Sequence, residues 1–335
     1  MTTRPVPING DHDGDRDGPT ERRPGPADTA GPEPLAGPAR AADPAGGVIT
    51  IREVGPRDGL QPEAPQPAGV RARLVEELVD AGVTTVEAVA FVSPRAVPQM
   101  AEAADVLAAV ERQPGVRYLA LVPNAKGAEL ALAAGVDGLS LTVSASEAYS
   151  QRNVHMSVGE SLAQVAAVRA VVGEALPLDT VISCAFGSPY EGDIAPEAVA
   201  EMARRATDAG TTTLTFADTT GMAGPRHVEA LLKLVGTDVG LHLHDTRGTA
   251  LVNAYAALQA GVRRFDTAVG GIGGSPFAKG AGGNLATEDL VNLCDQLGLT
   301  TGIDLERLLA ASRGLAETLG HPMPSRVTAA GPSRY

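Results

Sequence analysis

The chain has 335 residues, 44% of them apolar, a mean hydropathy of +0.01 and a formal net charge of −13. These values describe a soluble globular protein and speak against a nucleic-acid binder, which needs a basic face. No run approaches the apolar length that spans a bilayer, so neither nucleic acid nor membrane is expected as a partner.

Residues 1–46 are crowded with Pro, Gly, Asp and Arg and offer little besides Leu35 to fill a core. A disordered tail is expected there. It has no apolar secretion core, and Asp11, Asp13, Asp15 and Asp17 contradict the acid-poor character of an organellar address, which makes a cytoplasmic protein the default. Cys184 and Cys294 share no metal or redox spacing and are expected as buried small residues.

From residue 47 onward short β-branched runs alternate with alanine-rich amphipathic stretches, the rhythm of βα units around a parallel sheet. Strands are predicted over 48–54, 84–91, 116–122, 138–145, 178–186, 212–218, 239–244 and 264–269. Helices are predicted over 68–81, 97–112, 158–172, 196–209, 225–235 and 249–260, with a further one opening at Asn284. Pro196 and Pro225 suit a first helical turn, while Gly82, Gly210, Gly236 and Gly261 suit the position past a helix end. Eight such units, with no Gly-x-Gly-x-x-Gly after the first strand, favour a closed (β/α)8 TIM barrel over 47–320 rather than an open doubly wound sheet. Residues 321–335 are expected as a C-terminal tail.

The polar residues in this pattern fall on one side of the expected barrel. Asp58, Glu87, Asp218, His242 and His244 sit at or beyond the carboxyl ends of predicted strands, and Asn284 follows the last one; that is the catalytic rim of such a barrel. Side chains alternate along a strand, so His242 and His244 point one way and Leu241 and Leu243 the other. Two imidazoles on one face invite a metal, and Asp58 can add an oxygen ligand. Glu87 and Asp218 are carboxylates in apolar runs, readable as a structural ion pair or as functional groups. The glycine-rich stretch 270–284 reads as a phosphate cradle, an adaptable loop or, by its place after the last strand, a lid.

The segments Glu53-Val54-Gly55-Pro56-Arg57-Asp58-Gly59-Leu60-Gln61, Phe91-Val92-Ser93-Pro94, Ser183-Cys184-Ala185-Phe186-Gly187-Ser188-Pro189-Tyr190-Glu191-Gly192, His242-Leu243-His244-Asp245 and Gly283-Asn284-Leu285-Ala286-Thr287-Glu288-Asp289 closely resemble the 3-hydroxy-3-methylglutaryl-CoA (HMG-CoA) lyases, metal-dependent TIM barrels related to Claisen-type synthases. The resemblance runs from about residue 48 to about 320. It implies an acyl-CoA substrate cleaved to acetyl-CoA and a 3-oxo acid such as acetoacetate, in leucine degradation. It also implies Asp58, His242, His244 and Asn284 as ligands of Mg²⁺ or Mn²⁺, and Arg57 as the cation that stabilises an enolate. Glu87 and Asp218 then stand around substrate and metal, with Gln61, Asn284 and Glu288 as further substrate contacts. A homo-oligomer is expected.

One position departs from the family pattern. The lyases normally carry a cysteine in the glycine-rich loop where this chain has Ser275, and a hydroxyl is a far weaker acid than a thiol of pKa about 8.5. Ser275 is therefore a weak candidate for the proton donor, with Asp218, Glu87 or water as substitutes. Rival readings are a Claisen synthase, which often adds a C-terminal domain where nothing long follows Gly320 here, and a non-catalytic acyl-CoA-binding barrel.

Overall fold

The computed structural model describes residues 47–274 and 282–332. The expected tail 1–46 and Ser275 lie outside the described residues. Eight parallel strands, β1 (Thr50–Glu53), β2 (Thr85–Ala90), β3 (Arg117–Leu121), β4 (Gly138–Ser144), β5 (Leu178–Ser183), β6 (Thr213–Asp218), β7 (Gly240–Leu243) and β8 (Arg264–Thr267), pair in chain order into a closed barrel. Closure occurs where β1 pairs with β8, Thr50 through Glu53 lying opposite Arg264 through Thr267. Each strand falls inside a predicted range, and the TIM barrel expected from the βα rhythm is the fold.

Around it run α1 (Ala68–Asp80), α2 (Ala103–Ala109), α3 (Ala125–Ala133), α4 (Glu147–Val154), α5 (Val158–Val172), α6 (Pro196–Asp208), α7 (Pro225–Val235), α8 (Ala250–Ala260), α9 (Thr287–Leu297), α10 (Leu305–Leu319) and α11 (Arg326–Ala330). The apolar core lies between strands and helices. Outward-facing Ile182, Phe216, Leu241 and Phe265 pack there with Val75, Leu78, Val165 and Leu231, all at most 1% exposed.

The inner face of the barrel is different. Arg52 of β1 reaches Asp179 of β5 and Thr215 of β6, a span possible only through the interior. Glu87, Ser140, His242 and Asp266 are buried as well, in a space that such barrels usually fill with branched apolar side chains. Buried charge is tolerated only when paired and hydrogen-bonded, and here it is: Arg52 donates to Asp266 (Nε to Oδ1, 2.8 Å; Nη2 to Oδ2, 2.5 Å) and to Asp179 Oδ2 at 2.8 Å. Gly240 makes room for this layer, since a Cβ there would stand 2.6 Å from Thr215 Oγ1.

Three local expectations change. The helix predicted over 97–112 is a 3₁₀ turn, Pro98–Met100, followed by α2. Glu102 interrupts it at φ 58°, and the Ala101 carbonyl accepts from Arg71 Nη1 at 2.7 Å instead of from a helical amide. Next, α9 begins at Thr287 rather than Asn284, because Asn284 and Ala286 are still bridged to His244 and Ala268 as extended backbone. Finally, the segment after Gly320 includes α11, whose capping Ser325 accepts from Thr328 N at 3.0 Å and donates to Asp289 Oδ1 at 2.9 Å, tying it to α9.

Candidate active site and metal centre

The first motif forms a π-helical turn, Gly55–Gly59, directly after β1. Glu53 shapes its entry by accepting Gly55 N at 2.7 Å and, from the far side of the barrel seam, Val269 N at 2.9 Å. The turn delivers Arg57 and Asp58 to the barrel mouth. Arg57 donates to Asp58 Oδ1 at 2.6 Å and also pairs with Glu87. Glu87 is not at a strand end, as the sequence pattern suggested, but is the third residue of β2; its other oxygen accepts from Ser140. It is fully buried behind Arg57.

From β7, His242 and the residue just after the strand, His244, face Asp58. One ligand atom from each of the three lies within 4.8 Å of the others, with His242 Nε2 3.8 Å from Asp58 Oδ2 and only 3.2 Å from His244 Nε2. The opposite nitrogens are already engaged. His242 Nδ1 is 3.2 Å from Asp266 Oδ2, and His244 Nδ1 is 3.0 Å from the Gly282 carbonyl. Both acceptors require a proton on Nδ1, so two neutral rings would oppose Nε2 lone pairs across 3.2 Å. A shared proton relieves that opposition, and so does a cation. About 3 Å is also the separation of neighbouring ligands around an octahedral ion with bonds of about 2.1 Å.

Electrostatics agrees. Burial alone would raise the Asp58 carboxyl, but Arg57, the two imidazoles and the Asn284 amide hold it down at about 2. Burial and the neighbouring His242 push His244 down to about 4. Burial also lowers His242, yet hydrogen bonding to Asp266 and the charge of Asp58 move it net upward. The two rings therefore differ in proton affinity, His242 the higher and His244 the lower, beside an anionic Asp58.

Asn284 completes the group. Its Nδ2 donates to Asp58 Oδ2 at 2.9 Å and to the Ile272 carbonyl at 3.0 Å, while its buried Oδ1 has no hydrogen-bond partner. An orphaned acceptor beside a carboxylate and two imidazole lone pairs fits a divalent cation. Close backbone packing holds it there: a Cβ on Gly273 would overlap Asn284 Nδ2, and one on Gly283 would overlap the Gly271 carbonyl. Asp245 N bonds Gly283 O at 2.9 Å and Asn284 N bonds Ile272 O at 3.3 Å, so the two sides of the glycine-rich stretch meet in a tight stem.

The other candidates are placed around this centre. Asp218 ends β6; its Oδ1 accepts Met222 N at 2.7 Å and Ala223 N at 3.1 Å, its buried Oδ2 has no hydrogen-bond partner, and burial raises it to about 6. Gln61 is half-buried just past the π turn, its backbone N–H donating to the Asp58 carbonyl at 3.2 Å. Glu288 is not brought to the ligand cluster. Its carboxylate accepts Gly270 N at 2.8 Å and a hydroxyl from Thr328 at 3.3 Å, bracing the turn that follows β8.

A family model described as HMGL-like matches residues 48–314. The chain belongs to the HMGL-like family. Among its relatives, an (R)-citramalyl-CoA lyase of Chloroflexus aurantiacus is 44% identical, covering 85% of this chain and 95% of that protein. The mitochondrial hydroxymethylglutaryl-CoA lyase of Mus musculus is 42% identical over 84% of this chain and 89% of its own length. The crystal structure of hydroxymethylglutaryl-CoA lyase from Pseudomonas aeruginosa superposes with a TM-score of 0.82 at 40% identity, covering 85% of this chain and 98% of that one.

Within this HMGL-like barrel the sequence reading missed four charged residues: Glu53, which ties the π turn to the start of the glycine-rich stretch, and Arg52, Asp179 and Asp266, which form the interior network. Their signal was available. Asp179 is the one charge in an otherwise apolar or hydroxyl-bearing strand, as Glu87 is, while Arg52 and Asp266 stand in short strands that each carry a second charge, Glu53 and Arg264.

Proposed function

We propose that this chain is a divalent-metal-dependent carbon–carbon lyase acting on 3-hydroxy-3-methylglutaryl-CoA or a related tertiary 3-hydroxyacyl-CoA, releasing acetyl-CoA and an oxo acid. The observation that carries the proposal is the placement of Arg57, adjacent in sequence and bonded to the ligand Asp58, beside the His242–His244 pair. Asp58, His242, His244 and Asn284 would hold the ion, and a set of oxygens and imidazoles without thiolate suits Mg²⁺ or Mn²⁺. When bound, such an ion supplies Lewis acidity that lowers the pKa of a coordinated substrate hydroxyl.

The protein's own groups would do the rest. The hydroxyl proton leaves, the bond between C2 and C3 breaks, and its electron pair passes into the thioester as an enolate, which is then protonated at C2. Arg57 remains charged at any working pH and would meet the thioester oxygen as negative charge grows there. Glu87, with its oxygens engaged by Arg57 and Ser140, fixes the guanidinium. Asp218, with an unpartnered oxygen and a pKa of about 6, suits a group that exchanges protons near neutrality; Ser275 remains the alternative donor. Gln61 would contact the substrate at the mouth, Asn284 as an ion ligand, and Glu288 through the turn that it braces.

A panel of HMG-CoA, citramalyl-CoA and bulkier 3-hydroxyacyl-CoA thioesters, assayed with chelator and after adding back Mg²⁺ or Mn²⁺, tests this reading. Turnover of at least one, abolished by chelation and restored by metal, is expected. His242→Ala should lose bound metal and activity together. Chelator-resistant cleavage, or condensation of acetyl-CoA with a 2-oxo acid in place of cleavage, would overturn the proposal.

A further inference from the structure

We propose that Asp266, itself fixed by Arg52, is a positioning residue that dictates which nitrogen of His242 is presented to the metal. The inference rests on the metal reading above but concerns residues outside the ligand set. Its basis is strand register: Asp266 is the direct partner of Arg52 across β1 and β8 and of His242 across β7 and β8. In-register neighbours of a parallel sheet face the same side, so the three side chains form one row inside the barrel.

The bonds along this row leave each group one arrangement. Arg52 places its fork on both oxygens of Asp266, Nε on Oδ1 at 2.8 Å and Nη2 on Oδ2 at 2.5 Å, the two-point geometry that fixes a carboxylate plane. Its remaining nitrogen, Nη1, is held by Asp179 Oδ2 at 2.8 Å. Asp179 cannot swing away, because Thr213 and Thr215 donate to it at 2.5 and 2.9 Å. Asp266 Oδ2, thus oriented, lies 3.2 Å from His242 Nδ1. An ionised carboxylate only accepts, so Nδ1 must carry the proton and Nε2 is the nitrogen left for a cation. His244 reaches the same state through a backbone carbonyl, Gly282 O, which no side-chain substitution removes. His242 alone depends on a replaceable partner.

Two variants of the metal-stripped full chain test this, with Mn²⁺ alone as the probe, followed by electron paramagnetic resonance. Asp266→Asn is nearly isosteric; its amide must set an N–H against a donor of Arg52 or of His242, and any oxygen it offers His242 is a weaker acceptor. Mn²⁺ affinity should fall by about ten- to a hundredfold, and the ¹⁵N spectrum of His242 should show Nδ1 losing proton occupancy to Nε2. Asp179→Asn perturbs the same network without touching His242, and it should keep both the Mn²⁺ affinity within about twofold and the His242 spectrum of the wild type. An Asp266→Asn protein with wild-type affinity and an unchanged Nδ1 signal overturns the inference, as does an equal loss in Asp179→Asn, which would mean general loosening. Should Asp266→Asn fail to fold, Arg52→Lys, which keeps the charge and loses the fork, should show an intermediate fall in Mn²⁺ affinity; wild-type affinity in it would overturn the inference. Failure of the wild type to bind Mn²⁺ would instead remove the metal reading, while the metal-free spectrum would still report on the row.

Discussion

Replacing Glu53 with glutamine should make the protein more stable, but only at neutral and alkaline pH. Glu53 is fully buried, and burial raises its carboxyl from 4.5 to about 7 in spite of bonds from Thr287, Val269 and Gly55. A buried acid that resists ionisation is neutral in the folded chain while the unfolded chain has already released its proton. Its contribution is therefore complete below pH 4.5, declines as pH rises, and is lost once pH has passed about 7. At about 1.4 kcal/mol per pH unit, the loss amounts to about 3 kcal/mol at about pH 8. A glutamine at this position would not ionise, and its amide can donate to Thr287 as the protonated acid would while its oxygen still accepts from Gly55 and Val269. For a domain of this size such a gain is about 5 °C in Tm. Thermal scans of wild type and Glu53→Gln, both in chelator to hold metal linkage constant, should coincide at about pH 4 and separate by that amount at about pH 8. A variant no more stable than wild type under the alkaline condition refutes the reasoning. Some slope should survive in the variant, since burial also raises Glu288 to about 7.

Other expectations follow from the site and the tail. Arg57→Met should reduce kcat about a hundredfold or more with little change in KM, because the charge it meets appears only as the bond breaks; steady-state kinetics showing normal kcat and raised KM would make Arg57 a ground-state contact. Ser275→Cys should raise kcat on HMG-CoA if the serine is merely a poorer acid, and it should create a site for iodoacetamide, because Cys184 and Cys294 are buried and burial raises both thiols to about 12. An unchanged rate with clear turnover of a bulkier thioester would point to an adapted substrate range. Deleting residues 1–46 should leave Tm and turnover nearly unchanged, and a fall of more than a few degrees would show that the segment packs on the barrel.

The barrel was legible because its strands repeat a period that sequence displays directly, and the His242–His244 pair was legible because alternation puts i and i+2 on one face. Asn284 needed the resemblance, since an asparagine in a glycine-rich run has no pattern of its own. What stayed hidden depends on register. Nothing local to Arg52 or Asp266 says that β1 and β8 close the barrel in a phase that sets them opposite each other. The single helix read over 97–112 failed for a related reason: an alanine-rich stretch carries helical propensity, but a side chain thirty residues upstream, Arg71, claims one of its carbonyls. Glu288, grouped with the site by its motif, braces Gly270 instead of joining the ligands.

The stem at Gly271 and Gly283 has an evolutionary consequence. Because its contacts are made largely by glycines and main-chain groups, the stem can persist when the residues between its two sides change, leaving undisturbed the π turn that carries Asp58 and the end of β7 that carries His242 and His244. Substitutions between the two sides, Ser275 among them, are thus expected to alter substrate range while the barrel that holds Asp58, His242 and His244 stays the same.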